Sequence, residues 1–199
     1  MSGLQITWIR HGERGSDARP QLLIKDLVVR VGVRRILEGI ELEIFEGDHV
    51  RITGANGCGK STLLNAIAGI APARIASGQI CFKGTDITTW PTHERARLGI
   101  AYMRQVDNVF LALSIRENLM MALGQDGYEL FTEAFPEWAA DFPPDKRVGQ
   151  LSGGQRKKVA WGMTVLRNAP LILADEPEAG VAQRFVPPAT KTYILVTHQ

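Results

Sequence analysis

Gly54-Ala55-Asn56-Gly57-Cys58-Gly59-Lys60-Ser61 follows a short strand pattern, His49-Val50-Arg51-Ile52-Thr53, and opens a helical one. The helical stretch, Lys60 to Ile70, sets Leu63, Leu64 and Ile67 on one face. Glycines between strand and helix let the main chain wrap closely around phosphate oxygens, where side chains would clash. Successive N–H groups then point inward, and the helix start adds a favourable dipole. That dipole is modest, about 0.3–1 kcal/mol and up to about 2 kcal/mol when partly buried. Full positive charge comes from Lys60, suited to the β- and γ-phosphates, and Ser61 offers a hydroxyl to Mg²⁺. Strand, loop and helix together predict a site for a nucleoside triphosphate.

A second element should hold the metal. Leu171-Ile172-Leu173-Ala174 is a buried-strand pattern ending at Asp175-Glu176-Pro177. Ligands of a parallel sheet gather at the carboxyl ends of its strands. Asp175 is thereby placed to hold Mg²⁺, directly or through water, and Glu176 to act as general base on the attacking water. Two adjacent carboxylates at a strand end also serve as a helix cap or a solvated turn. The phosphate loop upstream is what favours the chemical reading.

Leu151-Ser152-Gly153-Gly154-Gln155 opens another helix, running to Leu166. Its small residues and free leading N–H groups make a second phosphate-binding helix start. One γ-phosphate does not require two such sites in one chain. The basic run Arg156-Lys157-Lys158 reads as a solvated helix face.

These stretches resemble the nucleotide-binding subunit of an ATP-binding cassette (ABC) transporter over roughly residues 22–199. Leu151 to Gln155 matches the signature motif of that superfamily. Gln105, after the strand-like Leu98 to Arg104, matches its Q-loop, and His198, after Tyr193 to Thr197, its switch histidine. The resemblance implies ATP and Mg²⁺ as ligands. Gly54, Ala55, Asn56, Gly57, Cys58, Gly59, Lys60, Ser61 and Thr62 would hold the nucleotide, joined by Ser152, Gly153, Gly154 and Gln155 of a partner chain. Ser61, Gln105 and Asp175 would hold the metal, and Glu176, His198, Gln105 and Lys60 would carry the chemistry. It implies a head-to-tail dimer, homomeric or heteromeric, in which each signature covers the ATP of the other subunit. Val109 to Leu119, Phe135-Pro136-Glu137-Trp138 and Ala179-Gly180-Val181-Ala182 resemble the branched-chain amino-acid importers. The function implied is ATP hydrolysis that energises uptake of a small solute, an amino acid or a related one. The alternatives are a soluble ABC ATPase acting on a protein partner and a nucleotide-binding module with impaired hydrolysis.

Composition bounds the rest. The chain has 199 residues, enough for one α/β domain with a sizeable core. Its net charge of +2 makes no electrostatic case for nucleic acid as a partner. Two cysteines, Cys58 and Cys81, suit a reduced compartment. No apolar run approaches the roughly 20 residues of a membrane helix. Separate permease subunits would therefore supply the pore, with this chain peripheral on the cytoplasmic face of the inner or plasma membrane.

The expected fold is α/β, a P-loop nucleotide-binding domain of ABC type over residues 21–199, shortened at its C-terminal end. Residues 1–20 read as a loose tail from Gly12 onward, after a strand-like Leu4 to Ile9. Leu22 to Val31 and Arg35 to Phe45 alternate apolar and polar residues, as antiparallel strands do. Gly78 to Thr88 reads as a further strand pair turning near Lys83-Gly84. Ser114 to Leu123 and Tyr128 to Phe135 are the amphipathic pieces of a small helical insertion, about 106–150. Two features depart from the family pattern. Val31 stands where an aromatic residue usually stacks on adenine, and Pro187-Pro188 interrupts the place of a full helix before His198.

Overall fold

A computed structural model describes residues 4–9, 18–106, 108–178 and 191–197. Its centre is set by two apolar runs, which form strands β8 (Leu171–Asp175) and β9 (Thr192–Val196), every residue of both buried. Strands covered on both faces read as continuous apolar runs, and parallel sheets are built from them. With β1 (Gln5–Ile9), β4 (His49–Thr53) and β7 (Ile100–Met103) they form a sheet of order β1-β4-β9-β8-β7. Neighbours from β4 to β7 are parallel, whereas β1 is antiparallel to β4.

The period of two sorts the side chains of β8 and β9 between two cores. Leu171, Leu173, Ile194 and Val196 face the first, while Ile172, Ala174, Tyr193 and Leu195 face the second. The first core lies beneath α1 (Lys60–Ala68) and a second, antiparallel sheet of order β3-β2-β5-β6. That sheet contains β2 (Leu22–Val31), β3 (Arg34–Ile44), β5 (Ala73–Phe82) and β6 (Thr85–Asp86). Both expected hairpins are present, although β5 begins upstream of Gly78.

The second core holds the insertion. Helices α3 (Ile115–Leu123) and α4 (Gly127–Ala134) pack with α5 (Gly153–Val165). Ser114 caps α3 through a capping box: its hydroxyl accepts from Glu117 N at 3.2 Å, and the Glu117 carboxylate accepts from Ser114 N at 2.7 Å. Gly162 of α5 is the contact point with α4. A methyl group there would lie 2.4 Å from Phe131 Cδ2, so only glycine lets the two helices meet.

Two expectations change. Residues 1–20 are not loose throughout, because Gln5–Ile9 forms β1, with Gln5 opposite Thr53 and Ile9 opposite His49. The open edge of β4 presents unpaired N–H and C=O groups, and Leu4 and Ile6 gain burial against the first core. Residues 10–17, in the rest of that stretch, lie outside the described residues.

The second change is helix α2 (Thr92–Leu98), which the sequence reading did not identify. Its Arg95 is only 2% exposed. Nη1 donates to Ala66 O at 2.7 Å and Ile67 O at 2.9 Å, Nε to Trp90 O at 2.9 Å, and Nη2 to Thr88 O at 3.0 Å. The guanidinium thus closes the C-terminus of α1, where positive charge is favoured. Arg95→Met should take the guanidinium from these four carbonyls, of which Ala66 O keeps a 3.3 Å bond from Gly69 N, and cost about 3 kcal/mol or more of stability. A urea midpoint lowered at constant slope would report it; an unchanged midpoint would reject the role.

Candidate functional site

The phosphate loop is shaped by conformation at one glycine and by space at another. Gly57 has φ 78° with nothing near a would-be Cβ, so backbone conformation alone demands glycine. Gly59, at φ 105°, is also crowded: a Cβ would lie 2.5 Å from Leu37 Cδ2. Gly59 is the N-cap of α1 and supplies no side-chain cap, so the helix's leading N–H groups face the loop without one. Cys58 N donates to Ala55 O at 3.3 Å and closes the turn.

Lys60 is 6% exposed, and its ammonium lies inside the loop. Nζ donates to Gly54 O at 2.8 Å and Ala55 O at 3.2 Å. The loop's own carbonyls therefore hold the charge at its centre, while the Ser61 side chain next to it on α1 is exposed.

The second half of the site sits at the carboxyl end of β8. Asp175 is 3% exposed, a carboxylate at the end of an otherwise apolar strand. Its negative charge and burial together push the Tyr102 phenol above its usual range, with burial the larger cause. Glu176 follows at φ 50°, in the left-handed region. That conformation costs a non-glycine residue about 1–3 kcal/mol and is kept where surrounding contacts over-determine it. The contacts are present. Glu176 N donates to Val196 O at 2.9 Å, and Gln105 Nε2 donates to Glu176 Oε2 at 2.9 Å. Lys157 Nζ donates to Glu176 O at 3.0 Å.

Gln105 and Glu176, distant in sequence, are thus joined directly. The amide nitrogen of Gln105 is engaged with Glu176, which leaves its oxygen as the donor toward an ion. Ser61, Gln105 and Asp175 offer only oxygen atoms, the donor type preferred by Mg²⁺. This donor set fits that ion, and a glycine loop around a buried ammonium fits a polyphosphate.

The signature helix begins where the sequence reading placed it. Ser152 caps α5, its hydroxyl accepting from Gln155 N at 3.2 Å, and Ser152 N donates to Gln155 Oε1 at 3.0 Å. This capping box takes up Gln155 and leaves Gly153 and Gly154 with no intrahelical acceptor for their N–H groups. The following basic run is not a solvated face. Arg156, Lys157 and Lys158 are all half-buried. Arg156 Nη2 donates to Gly149 O at 2.8 Å, and Lys158 Nζ lies 4.9 Å from the centroid of the Trp138 ring. Burial pulls the Lys157 ammonium below its usual pKa, and the charges of Glu176 and Asp175 oppose that shift. Charge runs are normally solvated, and no signal in the sequence marked these residues as bound.

Val31 is half-buried at the end of β2, opposite Arg34 and Ala73. Strand β9 carries the chain to Thr197, whose N–H donates to Ile52 O at 3.1 Å. His198 lies outside the described residues, as do Ala179 to Ala182 and Pro187-Pro188.

Comparison with known proteins places the chain in a family. The family model described as ABC transporter matches residues 37–179. A probable branched-chain amino acid transport ATP-binding protein of Archaeoglobus fulgidus is 38% identical over 157 residues, covering 75% of this chain and 65% of its own length. The lipopolysaccharide export system ATP-binding protein of Escherichia coli K12 is 34% identical over 167 residues, covering 80% of this chain and 68% of its own. The chain therefore spans about two thirds of the length of these relatives. Among solved structures, a nucleotide-free ATP-binding cassette from an ABC transporter aligns with TM-score 0.74 at 25% identity, covering 90% of this chain and 82% of that one. A dimeric cassette bound to ADP and Pi aligns with TM-score 0.74 at 23% identity, covering 89% and 88%. The family match over residues 37–179 and these identities show that this protein belongs to the ABC transporter family, with the fold of its ATP-binding cassettes.

Proposed function

We propose that this chain binds Mg-ATP and hydrolyses it to energise transport of a small solute through separate membrane permease subunits. The observation that carries the hydrolytic reading is the 2.9 Å hydrogen bond from Gln105 to Glu176. It ties the segment after β7 to the proposed water-activating carboxylate at the end of β8. In this reading the loop around Lys60 binds the phosphates, and Ser61, Asp175 and Gln105 would hold Mg²⁺, which would supply positive charge beside the phosphates. Glu176 takes the proton of the in-line water. Lys60 and the signature Ser152-Gly153-Gly154-Gln155 of a second subunit stabilise the charge that develops. His198 is assigned to the γ-phosphate on its sequence position alone.

One feature supports a partner at the insertion, which exposes Phe110 at 54%, Leu111 at 50% and Met121 at 60%, apolar surface of the kind that marks a protein contact. Among the described residues no helix is long and apolar enough to cross a membrane. The chain would then sit peripherally on the cytoplasmic face, paired with a second ATPase subunit. An amino acid is the favoured cargo, on the importer-like stretches Val109 to Leu119 and Phe135 to Trp138. Relatives named for lipopolysaccharide export and for xylose import keep other cargoes in view.

Purification with the permease encoded nearest to it, followed by ATPase assay in vesicles with and without solute, tests the reading. We expect copurification and turnover that rises when solute is supplied. Turnover without any membrane partner, unaffected by solute, would favour a soluble ATPase acting on a protein. Tight ATP binding without turnover would leave a nucleotide-binding module.

A further inference from the structure

Glu176 is held from three directions by three elements. Its N–H is fixed by Val196 O of β9, its carboxylate by Gln105 after β7, and its carbonyl by Lys157 of α5. Only the last anchor comes from the helix that the signature begins. Arg156 and Lys158 tie α5 to its own neighbourhood, at Gly149 and Trp138. Lys157 instead reaches across to the sheet.

We propose that Lys157 is a positioning residue for hydrolysis: from the signature helix of the same chain it pins the main chain of Glu176 in its left-handed conformation and so aims the carboxylate. This rests on the reading that Glu176 activates water. Backbone at φ 50° is disfavoured for glutamate and relaxes to negative φ unless surrounding contacts over-determine it. Such a relaxation rotates the Cα–Cβ bond and carries the carboxylate away from Gln105. The Glu176 N–H is already part of the sheet, because it bonds to β9. The carbonyl lies beyond the last strand residue, Asp175, and the Lys157 ammonium donates to it at 3.0 Å. The long lysine stem suits the task, since it spans from a helix to a strand end and delivers a compact charge to one oxygen.

A displacement of α5 would thus reach the carboxylate through one side chain. The N-terminus of the same helix presents the signature, so signature and general base within a subunit would move together.

The test compares Lys157→Met, which keeps the stem without the donor, and Lys157→Arg, which restores a cationic donor, with the parent chain. Three quantities are read: ATP affinity by calorimetric titration, steady-state ATPase turnover, and hydrogen exchange of the 171–178 peptide in the nucleotide-free chain. A displacement of about 1 Å at a reacting group can cost about 100-fold in rate. We expect Lys157→Met to lower kcat by about 10- to 100-fold, leave ATP affinity within about twofold, and speed exchange in the 171–178 peptide. Lys157→Arg should recover most of the lost turnover and protection. Parent-like turnover in Lys157→Met, or unchanged exchange at 171–178, would overturn the proposal. So would equal loss of ATP affinity and turnover, which would mark general destabilisation. If Lys157→Met does not fold, Lys157→Gln takes its place, with the same outcomes deciding. A parent chain that binds ATP without hydrolysing it would instead overturn the hydrolytic reading, while the exchange measurement still decides whether the tie exists.

Discussion

Lys60→Ala is expected to weaken Mg-ATP binding by about 2–5 kcal/mol, or about 30- to 5,000-fold in Kd. The reason lies in where the ammonium sits. It is nearly buried, at the centre of a loop whose other contributions are N–H dipoles and a helix start. Those dipoles supply about 0.3–2 kcal/mol, well short of what a triphosphate needs. A unit charge in a site shielded from water is the larger contribution. Alanine removes it and also releases Gly54 O and Ala55 O, so the loop loses an internal tie together with its ligand contact. Calorimetric titration with Mg-ATP measures the change, and a thermal scan of the variant separates it from unfolding. Unchanged affinity in a folded variant would remove Lys60 from the site.

Glu176→Gln is expected to slow hydrolysis by about 10²- to 10⁴-fold while leaving ATP bound. The substitution isolates chemistry from geometry. A glutamine at 176 keeps an oxygen that accepts from Gln105 Nε2, and its main chain keeps the contacts with Val196 and Lys157. Lost is the capacity to take a proton from water. An ATP-bound dimer, which opens after hydrolysis in this reading, should live correspondingly longer. Single-turnover rates equal in variant and parent would transfer the general base to another group. Paired with Lys60→Ala, the two substitutions divide the site into a half that binds and a half that reacts.

The phosphate loop and the strand ending at Asp175-Glu176 were legible because each has local causes. Glycines at fixed offsets shape the loop, and an apolar run with a polar end is what a buried parallel strand requires. The helices after Ser114 and Ser152 were legible from an amphipathic stretch and from small residues at a helix start, while the capping boxes at both serines emerged with the structure. Helix α2 was not legible. Its stretch, Thr92-His93-Glu94-Arg95-Ala96-Arg97-Leu98, has too few apolar residues to mark a face, and its buried member is an arginine that bonds to carbonyls of α1. Strand β1 was legible as a strand-like Leu4 to Ile9, but not its place: only folding brings it to the edge of β4 that secures it.

By itself the sequence determined which residues can grip a phosphate, which carboxylates can serve metal and water, and which helix carries the signature. These follow from residue type and short spacing, the range over which backbone conformation and capping act. Tertiary structure alone decided that Gln105 meets Glu176, that Arg95 closes α1, and that Lys157 leaves the solvent for the strand end. Long polar side chains carry no periodic signal of their own. Whether such a side chain is solvated or bound depends on which carbonyl or carboxylate folding brings within about 3 Å of it.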